Sequence, residues 1–178
     1  MKIEQTKDFE LIAKLNKPVH DLHCSLYPKY FRKYNFEEVK ELFKQLMKNR
    51  DFIFLIVKEK KEALGYAWIE IRHYHENVFN KEYQSIYVHQ LSIVPSKKNK
   101  GFGTFLMEEI YRFAQRQAID LVELDYWVDN KIAKEFYKKH NFIKYREFVY
   151  KQLNGGSVPH HVKTLTRWGT DPDFIISL

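Results

Sequence analysis

The stretch LSIVPSKKNKGFGTFLMEEI, residues 91–110, constrains this chain more than any other. A β-rich run ends at Pro95 and a lysine-rich loop follows. Two glycines then stand one residue apart, and an amphipathic run begins with Phe102, Leu106, Ile110 and Phe113 on one side. A strand that feeds a glycine loop at a helix start is a cradle for an anion. Glycine permits φ > 0 and a close backbone approach, while the first amides and the dipole of the helix hold negative charge. The Walker pattern is excluded because no Gly-Lys-Ser/Thr follows, and the dinucleotide pattern because its third glycine is missing. A pyrophosphate bound by another architecture remains.

The flanking sequence supplies the rest of a fold. Residues 2–5 predict a short strand, and a helix capped at Asp8 carries Ile12, Leu15, Val19 and Leu22 at helical spacing, with Pro18 expected to kink or end its first part. An aromatic-rich loop is expected over residues 20–34. Asn35 with Glu38 forms a capping box ahead of the stripe Val39, Leu42, Phe43, Leu46 and Met47. Residues 52–57 and 64–71 read as a hairpin and 84–94 as the next strand. A helix over 101–117, a strand over 121–127, a helix over 131–140 and a last strand over 144–153 complete the series. On the second of these helices Ile132, Ala133, Phe136, Tyr137 and His140 share one face. The domain is expected to span 1–153. Residues 154–178 open on Asn-Gly-Gly-Ser and are read as an extension, either a native arm or the remnant of an engineered junction.

Composition narrows the class. With 178 residues, 44% hydrophobic and 30% charged, the chain reads as one compact domain with its own core. The longest purely apolar run, 52–57, falls far short of the ~20 residues of a membrane span. No apolar leader is visible at the start, and a cytoplasmic location is expected, without a membrane partner. Cys24 stands alone, so neither a disulfide nor a thiolate metal site is expected, and it reads as a small buried apolar residue. The formal charge of +7 predicts an anionic partner. The excess is concentrated at Lys97, Lys98 and Lys100 and along Lys131, Lys134, Lys138, Lys139, Lys144, Arg146 and Lys151. Nucleic acid, a membrane surface, a polyphosphate cofactor and a solvated basic face all fit that charge alone.

The spacing Lys98-x-x-Gly101-x-Gly103 resembles the Arg/Gln-x-x-Gly-x-Gly/Ala signature of the GNAT superfamily of N-acetyltransferases. Further on, Asn130-x-x-Ala133-x-x-Phe136-Tyr137-x-x-x-Asn141-Phe142 is similar to that family's second signature. Lysine stands at 98 in place of Arg or Gln, and Asn141 replaces the usual glycine, which asparagine's readiness for the left-handed conformation tolerates. The resemblance implies an α/β (α+β) fold with a mixed, mostly antiparallel central sheet flanked by helices, whose parallel strands splay at a cofactor cleft. It implies acetyl-CoA as co-substrate, no metal, and a primary amine of a small molecule or peptide as acceptor. A homodimer is left open.

By the same resemblance, Lys98, Asn99, Lys100, Gly101, Phe102, Gly103 and Thr104 would hold the pyrophosphate. Backbone groups of Leu91 and Ile93 would hold the pantetheine arm, with the Ile93 N–H reaching the thioester oxygen. Asn130 would bind the cofactor or cap the helix before Lys131, or both. Tyr137 matches the acid that protonates the leaving thiolate; a phenol of pKa ~10 suits a thiol of pKa ~8.5. Its other reading is one more aromatic on the buried face of a short helix. For the base, His89 stands on the strand where many relatives carry a glutamate and shares strand parity with Leu91 and Ile93, although a satisfied core histidine is an equal reading. Glu70, Glu76 and His73 are the reserves. His20, His23, Tyr27, Tyr30 and Phe31 fall where similar proteins line the acceptor groove. The competing readings are a basic, aromatic nucleic-acid module, for which no accompanying motif is present, and an acyl-CoA sensor without turnover.

Overall fold

The computed structural model describes residues 1–153; the extension read at 154–178 lies outside the described residues. In chain order the elements are β1 (Lys2–Gln5), α1 (Phe9–Leu26), α2 (Phe36–Leu46), β2 (Phe52–Glu59), β3 (Glu62–Tyr74), β4 (Tyr83–Ile93), α3 (Phe102–Arg116), β5 (Val122–Leu124) and α4 (Lys131–Lys139), with a single 3-10 turn at Pro95–Lys97. The described residues divide into two units, the first Met1–Leu124 and the second beginning at Asp125.

The first unit holds a five-stranded sheet in the order β1-β2-β3-β4-β5. Its first three joins are antiparallel, and β4 with β5 is parallel. This is the mixed, mostly antiparallel sheet that the sequence implies. One face of the sheet is covered by α1 and α2. Phe43 of α2 meets Phe54, Tyr66 and Trp68 edge-on at 5.8, 6.4 and 6.0 Å, and Asn16 of α1 donates to Tyr66 Oη at 2.9 Å. The alternate side chains, among them Ile53, Leu55, Ala67, Ile69, Ile86 and Val88, point to the opposite face, where α3 brings its buried Leu106, Met107 and Ile110. Each such side chain contributes ~1.5–3 kcal/mol by leaving water. At Gly65 a Cβ would lie 2.4 Å from the Ser92 carbonyl oxygen, so only glycine lets β3 and β4 approach this closely.

Local signals place the helix starts. Asp8 accepts from the Leu11 amide at 2.9 Å. Asn35 accepts from Glu37 and Glu38 amides while its own amide reaches Glu38 Oε1 at 3.1 Å, the reciprocal box. Three expectations fail. Of the two outcomes expected at Pro18 the helix does not end there: α1 continues to Leu26, so the loop expected over 20–34 does not begin at 20, and His20 and His23 lie on the helix. The ring costs ~3 kcal/mol in a helix interior. Contacts on both sides outweigh it, with Asn16 bonded to Tyr66 and His20 Nε2 bonded to the Arg32 carbonyl at 2.7 Å. The strand expected over 121–127 shortens to Val122–Leu124. The last strand expected over 144–153 does not form: its Ile143, Tyr145, Val149 and Leu153 flank is exposed, and no ladder runs through it among the described residues. Alternating apolar residues make a strand only where a neighbouring edge supplies the hydrogen bonds.

In the second unit, α4 ends in a Schellman motif. The Asn141 amide bonds the Lys138 carbonyl and the Phe142 amide that of Tyr137, both at 3.1 Å. Asn141 takes φ 59°, the left-handed state that its substitution for glycine requires. The Phe142 ring closes on Tyr137 with centroids 5.5 Å apart. Ile132, expected on the apolar face of α4, is exposed.

The same motif closes α3 at a less tolerant residue. The amides of Ala118 and Ile119 bond the Gln115 and Ala114 carbonyls, and Ala118 is held at φ 55°. Relief of that Cβ strain exceeds glycine's extra unfolded-state entropy. Ala118→Gly is expected to raise the unfolding free energy by ~0.5–1 kcal/mol in urea titrations; an unchanged or lower midpoint would contradict the assignment.

Candidate active site

Between β4 and α3 the backbone is shaped by two left-handed residues. Asn99 stands at φ 60° and Gly101 at φ 84°. Gly101 occupies the cap position of α3 without a side-chain cap, and the Phe105 amide already bonds its carbonyl. By position, the amides of Phe102, Gly103 and Thr104 have no acceptor within the helix, which makes this end an anion-seeking terminus. Lys98, Asn99 and Lys100 are exposed around it, whereas Lys97 is drawn back to Glu59 at 2.7 Å. A Cβ on Gly101 would meet nothing within 4 Å, so its glycine answers a backbone conformation rather than a lack of room.

The strand before the loop opens at one edge. Parallel pairing of β4 with β5 covers only Ile86–Val88 against Val122–Leu124, although β4 runs on to Ile93. The Val94 amide bonds the Leu64 carbonyl at 2.8 Å, so Leu64 and Val94 form a hydrogen-bonded pair, and Gly65 with Ile93 is the non-bonded pair beside it. By that alternation the amides and carbonyls of Ile93 and Leu91 turn away from β3, toward the side where β5 has ended. The parallel ladder therefore ends at Val88 while β4 continues to Ile93.

His89 belongs to the other side of the sheet. Trp68 pairs Gln90 and the next residue, Ile69, pairs Val88, so His89 is the extra residue of a β-bulge. The bulge breaks the parity expected between His89 and the pair Leu91 and Ile93. His89 instead stacks on Trp68 with centroids 4.3 Å apart and meets Phe52 and Tyr87 edge-on. Its Nε2–H donates to Glu70 Oε2 at 2.8 Å. Burial holds the imidazole below its ordinary pKa against the opposing pull of Glu70, so the ring is neutral at pH 7. For Glu70, burial pushes upward, but the His89 hydrogen bond and the Arg72 charge outweigh it and keep the carboxyl below its usual range.

Around this pair stand residues that the sequence did not single out. Arg72 reaches Glu70 through Nη2 at 2.8 Å and lies over the Tyr87 ring at 3.5 Å. Tyr74 donates to the buried Glu123 at 3.0 Å, and burial raises its phenol to about 12. The signal was present: Glu70, Arg72 and Tyr74 stand at alternate positions, and so on one face, in the outer half of a strand whose inner half is buried on both faces. Of the reserve bases only Glu70 joins His89. His73 accepts from Gln84 at 3.1 Å and is exposed, as is Glu76.

In the second unit, Asn130 accepts from the Ala133 amide at 3.1 Å and so caps α4. Tyr137, two turns on, is buried, with Tyr126 stacked at 5.8 Å. The aromatic segment before α2 is packed rather than open. His20 meets Phe31 and Tyr34, His23 lies 5.1 Å from Phe31, and Cys24, half-buried, donates to the same Arg32 carbonyl as His20. Tyr27 is buried and Tyr30 exposed.

Comparison with known proteins gives a consistent result. The profile of the acetyltransferase (GNAT) family matches residues 17–142. An uncharacterized N-acetyltransferase of Methanocaldococcus jannaschii is 29% identical over 142 residues, which are 74% of this chain and 59% of that protein. The chain thus spans little more than half the length of this curated relative. A tetramutant of the BH1408 protein from Bacillus halodurans superposes with a TM-score of 0.80 at 20% identity over 86% of this chain and all of that one. The aminoglycoside acetyltransferase AAC(6')-Iy, in complex with the bisubstrate analog CoA-S-monomethyl-acetylneamine, gives 0.61 at 15% identity, covering 86% of this chain and 98% of that one. Both structural likenesses concern the fold.

Packing of the His20–Phe31 cluster has a measurable consequence. Burial, helped by His20, lowers His23 to about 4. The unfolded chain binds a proton near pH ~6.5, so this histidine's contribution to stability is complete above that pH and lost as pH falls toward 4. His23→Phe, which keeps a ring against Phe31, is expected to recover ~2 kcal/mol of the stability lost between pH 7 and 4.5, allowing for the ring's partial exposure. Equal acid losses in both proteins would contradict the shifted pKa.

Proposed function

Because this chain belongs to the acetyltransferase (GNAT) family, we propose that it moves an acetyl group from acetyl-CoA to a primary amine of a small molecule or peptide by direct attack on the thioester. The observation that carries this reading is the succession of an unpaired β4 edge and a left-handed Gly101 at the start of α3. A pyrophosphate suits the amides of residues 101–104, with Lys98 and Lys100 adding charge and Asn99 setting the turn. The exposed edge at Leu91 and Ile93 offers amide and carbonyl groups to an extended amide-bearing arm, as a further strand would. The Ile93 N–H is the proposed donor to the thioester oxygen, where negative charge develops.

The amine nitrogen forms the new C–N bond as the C–S bond breaks. The ammonium first loses one proton to water to expose its lone pair; after attack the nitrogen's surplus proton passes to His89, directly or through water, Tyr137 gives its proton to the departing thiolate, and the His89 proton returns through water to Tyr137, leaving an acetamide and free coenzyme A. A carboxylate on Nε2–H fixes the His89 tautomer, as Glu70 does. Asn130 adds a cofactor contact to its capping role.

Calorimetry with coenzyme A tests the loop. Gly101→Glu places a side chain at φ 84° and a negative charge beside the phosphates, and is expected to weaken binding at least ~10-fold. Intact affinity, or none in the unaltered protein, would remove the pyrophosphate assignment. A thiol-release assay over a panel of amines tests the chemistry. Tyr137→Phe is expected to lower kcat by ~10²-fold with coenzyme A affinity unchanged. His89→Ala is expected to erase an acid limb of kcat/KM that lies below the ordinary histidine range, since burial lowers its pKa. Retained turnover, or a retained limb, returns the corresponding residue to packing.

A further inference from the structure

Glu70 is bonded in a lopsided way. His89 Nε2 at 2.8 Å, Arg72 Nη2 at 2.8 Å and Arg72 Nε at 3.1 Å all converge on Oε2. Oε1 receives no bond from any described residue. An arginine beside a carboxylate ordinarily spreads its fork over both oxygens. Here the guanidinium lies 3.5 Å over the Tyr87 ring, which fixes its plane and brings both nitrogens to one oxygen. The Glu70 side chain keeps 16% of its surface exposed, whereas that of His89 keeps 3%. Charge is thus held in place on one oxygen while the other is left with its lone pairs for a donor from outside.

We propose that Glu70 Oε1 is the seat of the acceptor's cationic nitrogen, with Arg72 as the resident cation on Oε2 that competes for the carboxylate's charge. This deepens the acetyltransferase reading and rests on it. The substrate class it selects is a protonated primary amine carrying N–H donors.

The probe is n-butylguanidinium, a cation with N–H donors that is not acetylated, titrated into the coenzyme A complex. Binding to the unaltered protein is expected to weaken at least 10-fold in Glu70→Gln and to stay unchanged in Glu82→Gln, an exposed acid of the β3–β4 loop. In Arg72→Gln it is expected to tighten several-fold, because Glu70 then loses its neutralising partner. That opposite sign distinguishes docking from a structural ion pair, and it keeps the test decisive should Glu70→Gln fail to fold. Parallel titrations of spermidine and of a lysine peptide show which source of primary amine depends on Glu70. No binding to the unaltered protein, equal binding in Glu70→Gln, or weaker binding in Arg72→Gln overturns the proposal. Loss of coenzyme A binding in the unaltered protein would instead overturn the acetyltransferase reading.

Discussion

The extra residue that β4 carries at His89 is the constraint on which the active face depends. From Ile86 to Val88 the strand is paired on both edges; beyond it, β5 has ended and the register against β3 has moved by one. Side-chain direction alternates strictly along a strand, so a single inserted residue reverses every later position. His89 thereby stays beside Trp68 and Tyr87, while Leu91 and Ile93 turn to the opposite face and present their backbone to the open edge. One local irregularity separates a side-chain cluster on one face from a strip of unpaired backbone at the edge.

The cluster at that bulge is polar in a place that is otherwise apolar. Glu70, Arg72 and His89 are largely withdrawn from water, and isolated charges there would cost several kcal/mol each. They persist because each is partnered: the carboxylate takes three donors, the guanidinium lies on a ring, and the imidazole donates and stacks. The consequence is a neutral histidine with a defined tautomer and a carboxylate with a defined open oxygen. Such rigidity is what proton handling and cation docking require, and it follows from satisfying buried groups rather than from their number.

Caps and turns were legible because their causes lie within a few residues. Asp8, Asn35 and Asn130 each bond amides two or three positions on, and Asn141 fills a left-handed site that the end of α4 creates. The glycine loop was legible for the same reason. What could not be read depended on distant partners. Pro18 sits inside an intact helix because Tyr66 and Arg32 hold its flanks. The alternating segment 144–153 forms no strand, since its pattern specifies which face would be buried but not whether an edge is there to receive it.

By itself the sequence determined the order of elements from β1 to α4, the anion-seeking start of α3 and the family's two signatures, all carried by short-range periodicity, capping and backbone freedom. Only the tertiary structure decided the bulge, the end of the β4–β5 ladder and the union of Glu70 with His89, residues nineteen apart in sequence. Register is settled by the sum of contacts across a sheet, and the partner of a buried charge is whichever group that register brings within reach. No local pattern contains either quantity.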